Sequence, residues 1–297
     1  MAEAKTKDQG RNQAPRLDKI KKILFPTDFS EAAHNAFQYT LEFAEAFGAD
    51  VHLMHVYTMA PMPTDFVPQS FIDALEAEKI EKATTFVKSY EEEAQQNFKT
   101  RVSVSHSIVK GYAEDEIIGM CREHNFDLVV MGTQGAASQY GKAFGSVSVK
   151  VMKDTPCPVL VVPSEARFKP PKRLLYAVSF EPRDFEIIDQ LINFSLRFDA
   201  TLYCGHIRNQ GQDWDRIDPE LFQRLGELEK TDLLEFFMIN GEDVVQALQK
   251  FIDDYRIDIV TMLTHKRYLS DPSFQESMTK QMALSTDVPL LVFHEKK

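Results

Sequence analysis

The sequence predicts an α/β protein of two tandem domains, each a doubly wound parallel sheet of five strands in a Rossmann-like arrangement. Three observations predict it. The chain repeats itself, apolar runs of strand length alternate with helical patterns, and those runs are apolar throughout. A strand covered on one face alternates apolar and polar residues; one covered by helices on both faces does not, and such strands belong to parallel sheets. The 297 residues allow two domains of ordinary size.

The repeat is read from four strand pairs. KILFPTD at Lys22–Asp28 matches RLLYAVS at Arg173–Ser179, an offset of 151 residues. The same offset aligns Val51–Val56 (VHLMHV) with Leu202–Ile207 (LYCGHI). Farther on, Asp127–Met131 matches Asp258–Met262, and Pro158–Val162 matches Pro289–Phe293, both at an offset of 131. The second copy is therefore shorter by 20 residues between its second strand and the Asp258 strand.

Helical spacing fills the intervals. After Ser30, a helix cap by type, Ala33, Phe37, Leu41 and Ala44 recur along one face, and Gly48 supplies a stop. Phe185, Ile188, Leu191 and Ile192 mark the matching helix of the second copy. Gln69 to Asn97 reads as a long, half-exposed helix, and its counterpart, Pro219 to Lys230, is much shorter. Ala113 to His124 and Gly241 to Tyr255 give a third helix; Gly145 to Lys153 and Glu276 to Ala283 give a fourth. Each copy reads β-α-β-α-β-α-β-α-β. The expected boundaries are a disordered tail at 1–18, a first domain at 19–164, a linker at 165–172 and a second domain at 173–297. The Pro-rich, charged run PSEARFKPPK at 163–172 marks the junction.

Composition excludes several classes. With 34 Lys+Arg against 45 Asp+Glu, the net charge of −11 repels phosphate backbones, so no nucleic-acid partner is expected. The longest apolar run, Leu174–Val178, is five residues, against the roughly 20 of a membrane helix, and no membrane association is expected. The N-terminal stretch is polar with both charge signs, unlike a secretory signal, and the protein is expected to be cytoplasmic. Cys121, Cys157 and Cys204 are scattered, with no paired spacing, and are expected to be small buried hydrophobes.

Ligands of such sheets sit beyond the carboxyl ends of the strands. After the Asp127–Met131 strand come Gly132 and Gly135, then nine residues, then Gly145-Ser146 opening the fourth helix. Glycines let the backbone take positive φ and approach a ligand closely, and a helix N-terminus offers free N–H groups to an anion. A tight turn followed by a plain helix cap accounts for the same residues.

The spacing G-x2-G-x9-G-[ST] from Gly132 to Ser146 resembles the nucleotide-binding signature of the universal stress protein family. PTDFS at 26–30, HVY at 55–57 and CPVLVVP at 157–163 are similar to that family too, in order, so the resemblance covers essentially the whole chain as two tandem domains. It implies an ATP site in the first domain, with Mg or Mn. Pro26 and Asp28 would lie beside the adenosine, and Val56 would offer backbone hydrogen bonds to adenine. Gly132, Gly135, Gly145, Ser146 and Val147 would hold ribose and phosphates, largely through main-chain N–H groups. Asp28 has two readings: a contact to a ribose hydroxyl or metal-bound water, or a cap on the following helix.

The second copy departs from this pattern. Leu263, Lys266 and Glu276 stand where the first has Gly132, Gly135 and Gly145, and Ser179 replaces Asp28; only Ser277 survives, opposite Ser146. Nucleotide is expected in the first domain alone.

Other constellations are weak. His52 and His55 are three apart on a strand and point to opposite faces, so they cannot share a metal. Cys204 and His206 share one face, a weak metal option in the second domain. His265, Lys266 and Arg267 make a short basic loop, either solvated or an altered anion pocket. No hydrolase elbow, zinc-protease motif or phosphate-loop lysine is present. Enzymatic activity is expected to be at most slow ATP hydrolysis or autophosphorylation on a serine such as Ser138 or Ser146.

The expected function is a nucleotide-dependent stress-response switch with an unidentified protein partner. The alternative is a nucleotide-independent scaffold or small-molecule carrier that uses the second domain. The last strands, Pro158–Val162 and Pro289–Phe293, are expected to pack together as an intrachain pseudo-dimer, because edge strands need covering. Further homodimerisation is left open.

Overall fold

The computed structural model describes residues 17–59, 68–98, 102–133, 145–208, 219–230, 232–241, 243–264 and 275–294. The first half runs β1 (Lys22–Thr27), α1 (Glu31–Phe47), β2 (Asp50–Tyr57), α2 (Gln69–Phe98), β3 (Val104–Lys110), α3 (Ala113–His124), β4 (Leu128–Gly132), α4 (Ser146–Asp154) and β5 (Val159–Val162). The second runs β6 (Arg173–Ala177), α5 (Asp184–Phe198), β7 (Thr201–Arg208), α6 (Pro219–Glu229), β8 (Glu235–Asn240), α7 (Val244–Tyr255), β9 (Ile259–Thr264), α8 (Gln275–Ser285) and β10 (Leu290–His294). The sequence pattern locates four strands per half. The fifth is β3 or β8, each at a sheet edge.

Local chemistry sets the boundaries. Ser30 Oγ accepts from Ala33 N at the start of α1, and Gly48, at φ 63°, turns its N–H onto the Ala44 and Glu45 carbonyls to end it. Asp127 and Asp258, the acids that anchor the repeat, have one shared job. Asp127 Oδ2 accepts from Lys21 N and Lys22 N at 2.8 and 2.9 Å, and Asp258 Oδ2 accepts from Lys172 N and Arg173 N at 2.7 and 2.9 Å. Each carboxylate pins the start of its half's first strand beside the strand that follows the acid. The missing residues of the second half fall in the second helix, which has 30 residues in α2 and 11 in α6.

All ten strands form one sheet, ordered β3-β2-β1-β4-β5-β10-β9-β6-β7-β8. Every ladder is parallel except that of β5 with β10, where Leu160 faces Leu291. The last strands of the two halves therefore pair with each other, and the sheet has a pseudo-twofold centre. Helices cover both faces over cores of Leu, Ile, Val and Phe.

The halves also meet through α1 and α5. Arg197 lies over the Phe47 ring at 4.6 Å and donates to Ala46 O at 2.7 Å, while Phe47 and Phe194 pack with centroids 5.6 Å apart. The linker is laid on α1: Asn35 Nδ2 donates to Ala166 O at 3.0 Å, and Phe168 meets Tyr39 edge-on. Of the tail expected at 1–18, Leu17 and Asp18 instead belong to an ordered element. Leu17 opens a short 3-10 turn with its side chain buried in the core and its N–H on Gln190 Oε1 of α5 at 3.3 Å. An apolar residue next to Ile20 gains more from burial than from solvent.

Candidate functional site

In the first half, the strand order reverses between β1 and β4, where an α/β sheet opens its ligand crevice. Pro26 is half-buried on β1, paired with Met54, and Thr27 ends the strand. The chain then turns at Phe29, whose φ of 61° is the left-handed conformation that most side chains avoid. Three bonds support the turn. Phe29 N donates to Thr27 Oγ1 and Ser30 N to Asp28 Oδ1, both at 3.0 Å, and His55 Nδ1 donates to Thr27 O at 2.9 Å. Asp28 is thus exposed at the mouth of the crevice, and it braces the entry to α1. Of the two roles expected for it, this one is visible in the fold.

Phe29 stacks between His55 and Phe86, with centroids at 4.4 and 4.9 Å, and its edge meets Tyr90. This aromatic column fixes α2 against the ends of β1 and β2. Burial pushes the Tyr90 phenol up to about 12, opposed by a hydrogen bond with Thr27. Val56 lies half-buried one residue past the paired end of β1. Tyr57 O accepts from Gly111 N on the β3 side, so strand alternation directs the Val56 peptide groups to the β1 side, toward the crevice.

The two described glycines differ. Gly132 ends β4 beside Val162, and a Cβ there would meet Ala32 O at 3.3 Å and Ala36 Cβ at 3.6 Å. Its missing side chain lets α1 approach the sheet. Gly132 does not use the positive φ open to a glycine, because a residue still paired in a strand keeps extended geometry. Gly145 is also extended, at φ −62° and ψ 139°, and caps α4 with no side-chain hydrogen bond. Among the described residues, a Cβ at Gly145 would touch only Ser148 Oγ, at 3.9 Å. Neither the backbone conformation nor any described neighbour requires a glycine at 145.

Ser146 and Val147 open α4, and Val149 N donates to Gly145 O as its first helical bond. The N–H groups ahead of that bond have no intrahelical acceptor and carry the positive end of the helix dipole. No acid stands in that first turn, and Lys150, one turn on, pairs with Asp115 at 2.8 Å. Gly135 and Ser138 lie outside the described residues.

At the equivalent positions the second half carries buried side chains. Leu263 is buried where the first half has Gly132. Asp184, also buried, accepts from Tyr176 Oη, from Ser179 N at 3.1 Å and from Glu181 N at 2.8 Å. Burial and the neighbouring Asp184 carboxylate push the Tyr176 phenol well up. At the repeat offset, Tyr176 and Asp184 stand where the first half has Phe25 and Ala33. Two apolar residues exchanged together for a donor and an acceptor are the signal that could have found this pair. Phe180 repeats the left-handed turn at φ 59°, and His206 Nδ1 donates to Val178 O at 2.9 Å, as His55 does to Thr27. Both histidines cap a strand end.

No group of three or more metal-ligating side chains occurs among the described residues. Cys204 is buried, which raises its thiol pKa, and His206 has committed Nδ1 to the backbone, so the metal option at this pair finds no support. His52 lies on the other face, its ring nitrogens bonded to Ser105 and Ser107 hydroxyls at 2.9 Å each. The basic stretch 265–267 lies outside the described residues.

The sequence profile of the universal stress protein family matches residues 19–163. The universal stress protein MJ0531 of Methanocaldococcus jannaschii is 31% identical over 145 residues, spanning 48% of this chain and 81% of that one. The chain belongs to the universal stress protein family. A second universal stress protein, Slr1230 of Synechocystis, is 22% identical over 304 residues and covers 92% of this chain and 100% of its own length. The likeness thus extends over both halves. The crystal structure of a universal stress protein from Archaeoglobus fulgidus shares the fold at a TM-score of 0.69, with 18% identity over 94% of this chain and 98% of that one. No described helix is long and apolar enough to cross a membrane.

Proposed function

We propose that this universal stress protein binds ATP in its N-terminal half, at the crevice between β1 and β4, and acts as a nucleotide-dependent switch. Pro26, Asp28 and Val56 would flank the adenosine, and Gly132, Gly135, Gly145, Ser146 and Val147 would hold ribose and phosphates. A divalent cation, Mg or Mn, would neutralise phosphate charge.

Gly145 carries this reading. The residue before a helix ordinarily gains from a capping side chain, and Gly145 gives that up although no described atom crowds a Cβ there. A phosphate resting on the α4 N-terminus accounts for the open space, because an anion caps the first-turn N–H groups better than a side chain could. The second half has Glu276 at this position, a carboxylate that repels phosphate.

Calorimetric titration of the full chain with ATP and Mg tests the proposal. The expected stoichiometry is one nucleotide per chain. Two equivalent sites would contradict the self-filled second half, and no binding would return the protein to the scaffold alternative.

A further inference from the structure

We infer that two copies of this chain join edge to edge through β8, each β8 adding antiparallel to the other, so that the sheet runs on from one copy into the next. The sheet ends in two edges, β3 and β8. An edge strand presents unpaired N–H and C=O groups, and proteins commonly guard it with charged side chains. The two edges of this chain differ in that guard.

On β3 the guard is present. Gly111 N donates to Tyr57 O on the β2 side, so by alternation the main-chain groups of His106, Ile108 and Lys110 point away from β2. His106 Nδ1 bonds to Glu91 at 2.7 Å and Lys110 Nζ to Glu76 at 3.0 Å, which ties both flanks of Ile108 to α2. A strand docking here would strip water and partners from both side chains.

On β8 the main chain is turned the same way. Phe236 N donates to the Glu229 carboxylate of α6 at 3.2 Å, so Phe236, Met238 and Asn240 turn their main-chain groups outward, while Phe237 and Ile239 bond to β7. The strand reads EFFMIN, with its one charge at the first residue. Among the described residues, Met238 has no hydrogen-bond partner on the outer side. Phe222 of α6 is 47% exposed, its ring 6.1 Å from that of Phe236, so apolar surface continues from the edge onto the helix.

The strand is its own complement. A twofold axis through Met238 sets Met238 against its own counterpart, Phe236 against Asn240, Phe237 against Ile239 and Glu235 against Gly241. Outward residues then meet outward residues and exchange main-chain bonds, and no like charges are opposed. The same register on β3, centred on Ile108, would set His106 against Lys110, both already held by α2. A twofold pair stops at two copies, because the edges left over are the guarded ones. Six residues of edge make a contact at the small end of specific interfaces, which places Kd at about 10–100 µM.

Sedimentation equilibrium of the full chain over about 1–500 µM tests the pairing. The average mass should rise from 34.0 kDa toward twice that value and stop there. Met238→Lys and Met238→Glu each oppose two like charges and should weaken association at least about fivefold, with an unchanged circular dichroism spectrum. Mixed in equal amounts, the two variants should recover a dimer, since the opposed charges then differ in sign. Ile108→Lys, the same change on β3, should leave association as it is. In the parent chain, the Met238 and Asn240 amides should exchange hydrogen at least about fivefold more slowly at the dimeric concentration. A chain that stays at 34.0 kDa throughout, or masses that climb past the dimer, overturns the closed pair. So does a dimer that Met238→Lys leaves intact, a mixture of the two variants that stays monomeric, or unchanged exchange at the two amides.

Discussion

The loops after β1 and after β6 share a left-handed phenylalanine and a histidine that caps the strand before it, yet different acids hold them. After β6, the buried Asp184 collects Ser179 N, Glu181 N and the Tyr176 hydroxyl. After β1, Asp28 collects Ser30 N and stays at the surface. The loop after β6 thus takes its acceptor from a buried carboxylate, and the loop after β1 takes its own from an exposed one. The same backbone turn is part of the core in one half and lies at the surface in the other.

Removing each acid tests this contrast most severely. Asp184→Ala should cost about 3 kcal/mol in urea denaturation, because it leaves a buried hydroxyl and two loop N–H groups without their acceptor. Asp28→Ala should cost below about 1 kcal/mol, as loss of an exposed turn brace does. Equal losses would mean that the two loops are held alike.

Next in size is Gly145→Asp. A carboxylate on the α4 N-terminus should weaken ATP binding by at least about 30-fold, near 2 kcal/mol, with little change in stability. Calorimetry with a parallel melting curve reads both. Retained affinity would move the phosphates away from α4.

The two glycines separate on a smaller scale. Gly132→Ala places a methyl against Ala32 O and should lose about 1 kcal/mol in denaturant titrations as α1 is pushed off the sheet. Gly145→Ala should melt as the parent does. A stable Gly132→Ala chain would show that α1 yields easily.

The smallest effect is on pH. Burial, with His106 and His124 adding to it, lowers the His52 pKa; burial also lowers that of His206, against the raising effects of its Val178 bond and Asp184. A histidine whose folded pKa lies below its unfolded value near 6.5 binds more protons when unfolded, so its contribution is whole at neutral pH and is lost as pH falls through that range. Urea midpoints should therefore drop from pH 7.5 to 5.5. His52→Asn and His206→Asn should each flatten that slope.

Much of this was legible in the residues. The strand pairs at offsets 151 and 131 mark the strands that pair and pack, and Asp127 and Asp258 were visible as repeat anchors before their bonds were known. β3 escaped because an edge strand reading VSHSIVK mixes exposed and half-buried positions and lacks the continuous apolar run of a central strand. Leu17 escaped because one buried residue ahead of a strand has no periodicity. Gly132 shows a further limit. In sequence it reads only as a point of close backbone approach; that its missing Cβ also makes room for α1 is seen only in the position of Ala32.

The antiparallel β5–β10 ladder has a consequence for how the protein responds to its own abundance. Two separate chains joined by such a ladder would part on dilution, whereas two halves on one chain meet at an effective concentration set by their tether, in the millimolar range for short connections. The Phe168 and Ala166 contacts shorten that tether further by laying it along α1. The pairing, and any crevice that depends on it, should therefore stay assembled at nanomolar protein, so that occupancy follows the ligand supply and not the copy number of the chain.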